Sequence, residues 1–76
     1  MTDVLKAAIT RLIENADEAL AEAKAHIGMA DFQYYGARKD VYYEVLDTIK
    51  DDIIMGELEP ADYGLNIDLE KRYLQF

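Results

Sequence analysis

The sequence predicts an all-α fold: an antiparallel hairpin of two long helices closed by a short C-terminal helical segment, with a homodimeric bundle as one way to complete the core. Three observations lead there. Apolar residues recur three and four apart through residues 3–27 and again through residues 31–55, the spacing of one helix face. The break between the two stretches, at Gly28, is short, and short connections join antiparallel neighbours. The two faces also match in size, because the hairpin sets alanines of the first against aromatics of the second.

At 76 residues the chain reads as one domain, 1–76. A chain this short buries only roughly 60% of the surface its unfolded form exposes, so small scaffolds rely on disulfides, metals, tight helix packing or self-association. With no cysteine and a single histidine, disulfides, thiolate sites and multi-histidine metal sites are excluded. Helix packing and self-association are left.

In the first helix, 3–27, Leu5, Ile9, Leu12, Ala16, Ala19, Ala23 and Ile27 make the inner stripe, widened by Val4, Ala8, Ile13 and Leu20. Thr2 is placed to cap its start and Asp3 to favour its first turn. Alanines at 16, 19, 21, 23 and 25 favour helix and leave that half of the face shallow, so bulky partners must fill it. Gly28 is expected to stop the helix, with His26 in its last turn.

The second helix, 31–55, has Asp31 as its expected N-cap. Phe32, Tyr35, Lys39, Tyr42, Leu46, Ile49 and Ile53 alternate three and four apart, a coiled-coil-like seam with one lysine in it. Tyr34, Val41 and Val45 are expected to broaden that seam. Phe32, Tyr35 and Tyr42 should meet the alanine end of the first helix, and Leu46, Ile49 and Ile53 should meet Val4, Leu5, Ile9 and Leu12. Gly36 inside the helix is unfavourable by about 1 kcal/mol against alanine. Gly56 is expected to end the helix, with Leu58 making the apolar contact beyond the cap. In the C-terminal segment, 57–76, Pro60 suits the start of a short helical turn that Gly64 ends. Leu65, Ile67 and Leu69 alternate as in a strand, but a lone strand has no partner here. A short third helix, capped by Asn66 and carrying Leu69, Tyr73 and Phe76, is the expectation.

The net charge of −8 is lodged in one half of the chain. Ten of the sixteen carboxylates fall between Asp40 and Glu70, opposed only by Lys50, whereas residues 1–39 carry six acids and five bases. Concentrated negative potential steers basic partners and repels nucleic acid and anionic membranes. Asp40, Glu44, Asp47 and Asp51 follow at steps of four, three and four, which sets them on one helix face roughly 5–6 Å apart. That spacing is close to the run of phosphates on a DNA strand, somewhat wider than its ~3.4 Å axial rise. Such a row suits a basic groove built for nucleic acid. Asp52, Glu57 and Glu59 extend the acidic tract, and Tyr43 projects from the middle of the row. Tyr43 is either an exposed anchor of the kind enriched at binding hot spots or a residue packed beneath the C-terminal segment. The competing explanation of the whole row is a solvated outer face.

No catalytic, cofactor or metal site is expected. The chain has no serine or cysteine, no base stands beside its threonines or tyrosines, and its carboxylates lack calcium-loop spacing. The scattered Lys6, Arg11, Lys24, Arg38 and Lys39 do not form the basic face with stacking aromatics that nucleic-acid binders show. No secretory signal or membrane span is read, so a cytoplasmic location is expected.

The run Tyr34-Tyr35-Gly36-Ala37-Arg38-Lys39-Asp40-Val41-Tyr42-Tyr43-Glu44-Val45-Leu46 resembles helices in short acidic accessory proteins of bacteriophages and prophages, anti-CRISPR counter-defence proteins among them. The resemblance is at the level of a class and carries over no residue by position. It implies a small, non-enzymatic cytoplasmic protein that inhibits a nucleic-acid-handling machine, in some cases as a DNA mimic. The expected function is therefore binding of a basic protein partner, without direct nucleic-acid contact, through Asp40, Tyr43, Glu44, Asp47, Asp51, Asp52, Glu57 and Glu59. The alternative is a structural hairpin that dimerises through Tyr34, Val41 and Val45 and whose acidic face is only solvated.

Overall fold

The computed structural model describes residues 2–74, with side chains from residue 4 onward. The order of elements is α1 (Thr2–Ala25), α2 (Phe32–Met55), a 3₁₀ turn (Pro60–Tyr63) and α3 (Leu69–Tyr73). Two long helices packed on each other, with a short C-terminal helix against them, give the hairpin architecture that the sequence predicts. The Thr2 and Asp3 side chains and Phe76, assigned roles from the sequence, lie outside the described side chains.

The seam on α2 forms as its spacing requires. Lys39, Leu46 and Ile53 are buried, seven residues apart, and Phe32, Tyr35, Tyr42 and Ile49 are half-buried between them. Facing them, Ala16, Ala19 and Ala23 are fully closed off from solvent, so the aromatics of α2 fill what the alanines leave. The ends of the stripe do not close. Val4, Leu5 and Ala8 are exposed at the start of α1, and Ile27 is exposed beyond its end. Tyr34, Val41 and Val45 do not broaden the seam; they stand in solvent on one flank of α2.

Several local stops differ from the sequence expectations. Helix α1 ends at Ala25, and Gly28 takes the left-handed backbone (φ 83) that turns the chain. Asp31 precedes α2 with φ −95 and ψ 9 and makes no side-chain cap. A cap needs an extended backbone to swing the carboxylate over the first turn. The Asp31 carbonyl instead accepts from the Tyr34 amide at 3.1 Å. At the end of α2 the left-handed residue is Glu57 (φ 60), one past Gly56 (φ −80). The Glu57 amide donates to the Ile54 carbonyl and the Leu58 amide to the Ile53 carbonyl, each at 3.0 Å, which is the Schellman pattern. Leu58 is exposed rather than packed on the helix end. Helix α3 is capped by Asp68, not Asn66: Asp68 Oδ1 accepts from the Lys71 amide at 3.2 Å.

The C-terminal segment covers one side of the hairpin. Leu65, Leu69 and Tyr73 are buried, with Tyr63, among Ile9, Ala16, Leu46 and Ile53. Three polar contacts fasten α3 to α1. Arg72 grips Asp17 with Nε to Oδ1 at 3.0 Å and Nη2 to Oδ2 at 2.7 Å, and the Tyr73 hydroxyl donates to Asp17 Oδ1 at 2.7 Å. Fork-to-carboxylate geometry of this kind adds direction as well as energy. Nothing in the sequence spacing flags a pair 55 positions apart.

Candidate partner-binding surface

The helical period sets Asp40, Glu44, Asp47 and Asp51 in one row along α2, of which Asp47 and Asp51 border the C-terminal segment and Glu44 lies beside Val45, Thr48 and Ile49. Asp40, Glu44 and Asp51 are exposed and Asp47 is half-buried. Helix α3 then adds to the row. Asp68 and Glu70 join Asp47 and Asp51 around a groove that also contains Lys50 and Leu69. Both added carboxylates belong to the acidic half of the sequence, but only the fold of the segment after α2 brings them to α2.

Lys50 is the one base in the acidic tract, and within the groove it offsets one of the four carboxylates. Its ammonium also donates from Nζ to the Ile67 carbonyl at 2.7 Å. The lysine thus ties the C-terminal segment to α2 across the foot of the groove. At the other end of the row Asp40 does have a partner. Lys39 Nζ lies 3.2 Å from Asp40 Oδ1, with the lysine side chain 7% exposed and the aspartate 57% exposed. The weight of the negative surface accordingly rests on Glu44, Asp47, Asp51, Asp68 and Glu70.

Tyr43 does not stand out of the row as a free anchor. It is half-buried and packs against the core. Partial burial first, then the charges of Asp47, Glu70, Asp51 and Asp68, push its phenol above the ordinary tyrosine value. The tyrosine therefore keeps its proton and sits as a neutral donor within the field of four carboxylates. Asp52 follows Asp51 by one residue, about 100° round the helix at 3.6 residues per turn, and leaves the row. Glu57 and Glu59 are exposed in the connection after α2 and do not line the groove.

The chemistry open to this surface is limited. The groove holds about 190 Å³, below the roughly 300–1,000 Å³ of small-molecule sites. Among the described residues no three acidic or histidine side chains converge so as to hold a metal ion, and no helix is long and apolar enough to cross a membrane. A furrow of about 480 Å³ on α1 is lined by Val4, Ala7, Ala8, Arg11, Leu12 and Asn15. All six belong to one helix, so it is a surface channel with no opposing wall. No protein-family model, curated protein or solved structure matches the chain.

Proposed function

We propose that the chain is a small, non-catalytic interaction protein of the cytoplasm that docks its acidic flank on a basic surface of a nucleic-acid-handling protein and keeps nucleic acid out. One observation supports the reading above the others. Asp47 and Asp51 of α2 and Asp68 and Glu70 of the C-terminal segment come together at one groove, where the single lysine, Lys50, offsets only one of the four charges. A merely solvated surface gains nothing from such crowding, since neighbouring like charges destabilise a helix by a few tenths of a kcal/mol each. A basic cleft gains from it, because fixed carboxylates replace the counterions and phosphates that the cleft otherwise holds.

The test compares wild type with a Glu44→Gln/Asp47→Asn/Asp51→Asn/Glu70→Gln variant as immobilised baits in lysate of the native host. Asp40 is left in place because it pairs with the buried Lys39. The wild type should retain a basic protein that elutes with duplex DNA or with raised salt, and the variant should retain none of it. Equal retention by both baits, or a captured protein that DNA fails to displace, would refute the reading.

A further inference from the structure

The side of the hairpin that faces away from the C-terminal segment is uncovered. On α2 the segment meets Tyr43, Asp47 and Lys50, and half a turn round the helix from them lie Val41, Val45 and Ile49. On α1 it meets Ile13 and Asp17, and the opposite flank carries Val4, Ala8 and Leu12. In an antiparallel pair these two flanks point the same way. Together they make one apolar strip over the middle of the hairpin, with Val4 75%, Val41 58% and Val45 39% exposed, bounded towards the loop by the Arg38–Glu22 ion pair and towards the open end by the exposed Asp52, seven residues beyond Val45.

The area points to what covers it, and the placement of charge permits it. A compact monomer of this mass exposes about 4,700 Å², whereas this chain of 8.7 kDa exposes 5280 Å². Its radius of gyration is 13.4 Å, against about 11.4 Å for a compact domain of its length. The surplus surface, roughly 500–600 Å², is most of the ~800 Å² that each partner loses in a standard interface. The crowded carboxylates Asp47, Asp51, Asp68 and Glu70 lie on the far side of the hairpin. A two-fold axis through the apolar strip would leave both acidic grooves pointing outward, so two chains of charge −8 meet without setting groove against groove. We propose that this strip seats a second copy of the chain, making an isologous four-helix dimer with two acidic grooves on its outer sides. The inference does not rest on the acidic-surface reading: the groove of Asp47, Asp51, Asp68 and Glu70 lies on the other flank, and only Glu44 borders the strip, beside Val45, Thr48 and Ile49.

Sedimentation equilibrium across the micromolar range tests it. Wild type should sediment at twice 8.7 kDa, and a Val41→Glu/Val45→Glu variant should weaken dimerisation by about 100-fold or more, because charges would be seated in a closed apolar seam. Both valines are exposed in the single chain, so the monomeric variant should keep its helical circular dichroism. The chain has no native cysteine, which allows a second measurement that does not depend on that variant folding. With a flexible bis-maleimide, Val45→Cys should cross-link to a dimer and Asp51→Cys should not. A wild type that stays monomeric throughout, whether or not other proteins occupy the strip, overturns the proposal. So does a dimer that cross-links through Asp51→Cys in place of Val45→Cys.

Discussion

Glu57 is the residue whose backbone is hardest to reconcile with stability alone. Its φ of 60 places a residue with a Cβ where glycine is the ordinary occupant, at a cost of roughly 1–2 kcal/mol. Glu57→Gly should therefore raise stability by about 1 kcal/mol, seen as a rise of about 4–8 °C in the thermal midpoint for a domain of this size. A fall in the midpoint would mean that the glutamate makes a compensating contact. Tyr73 presents the opposite case. It is fully buried and its hydroxyl donates to Asp17, so Tyr73→Phe removes the donor and leaves the ring. The expected loss is about 0.5–1.5 kcal/mol by urea titration, and no loss would show that the Arg72 fork satisfies Asp17 unaided. At this scale the sequence was least informative. The seam position of Lys39 and the turn at Gly28 follow from local spacing. Glu57 taking the left-handed place beside an available Gly56, and Tyr43 lying down against the core, are decided by where the returning chain packs.

At the scale of elements, the Asp17–Arg72–Tyr73 cluster is what holds α3 on α1, and it titrates at both ends of the pH range. The hydrogen bond and charge of Arg72, aided by the Tyr73 hydroxyl and opposed by partial burial, hold the Asp17 carboxyl below its ordinary value. Folding therefore favours the ionised form, and that stabilisation is present above the unfolded value near pH 4 and fades as pH falls through the lower folded value. Burial, then the hydrogen bond to Asp17, raises the Tyr73 phenol to about 12. Its contribution is complete below pH ~10, the unfolded value, and fades as pH climbs towards the folded one. Wild type should thus exceed Asp17→Asn in stability at neutral pH and lose that margin on acidification, as followed by urea midpoints at a series of pH values. A margin unchanged down to pH 3 would contradict the clamp. The long helices were legible because a seam repeating every seven residues is a property of one helix. The clamp was not, because it joins residues 17 and 72 through a segment whose own pattern fits strand as well as helix. For the same reason the acidic row was read on α2 alone, and Asp68 and Glu70 joined it only once the fold had placed them.

For the whole molecule, a net charge of −8 with four carboxylates at one groove should oppose folding by self-repulsion. Raising ionic strength shortens the Debye length to about 10 Å at 0.1 M, so the thermal midpoint should climb with added salt. Asp51→Asn should stabilise by a few tenths of a kcal/mol while weakening partner binding. Stability and binding moving in opposite directions is the mark of charge kept for recognition; if Asp51→Asn lowered both together, the aspartate would be a structural residue. The most direct measurement of the acidic flank as a substitute for nucleic acid is fluorescence anisotropy of a labelled DNA duplex on the protein that the chain captures. Wild type should release the duplex, less effectively as salt rises, and the Glu44→Gln/Asp47→Asn/Asp51→Asn/Glu70→Gln variant should leave it bound. Simultaneous binding of duplex and wild-type chain, with anisotropy unchanged, would contradict the account.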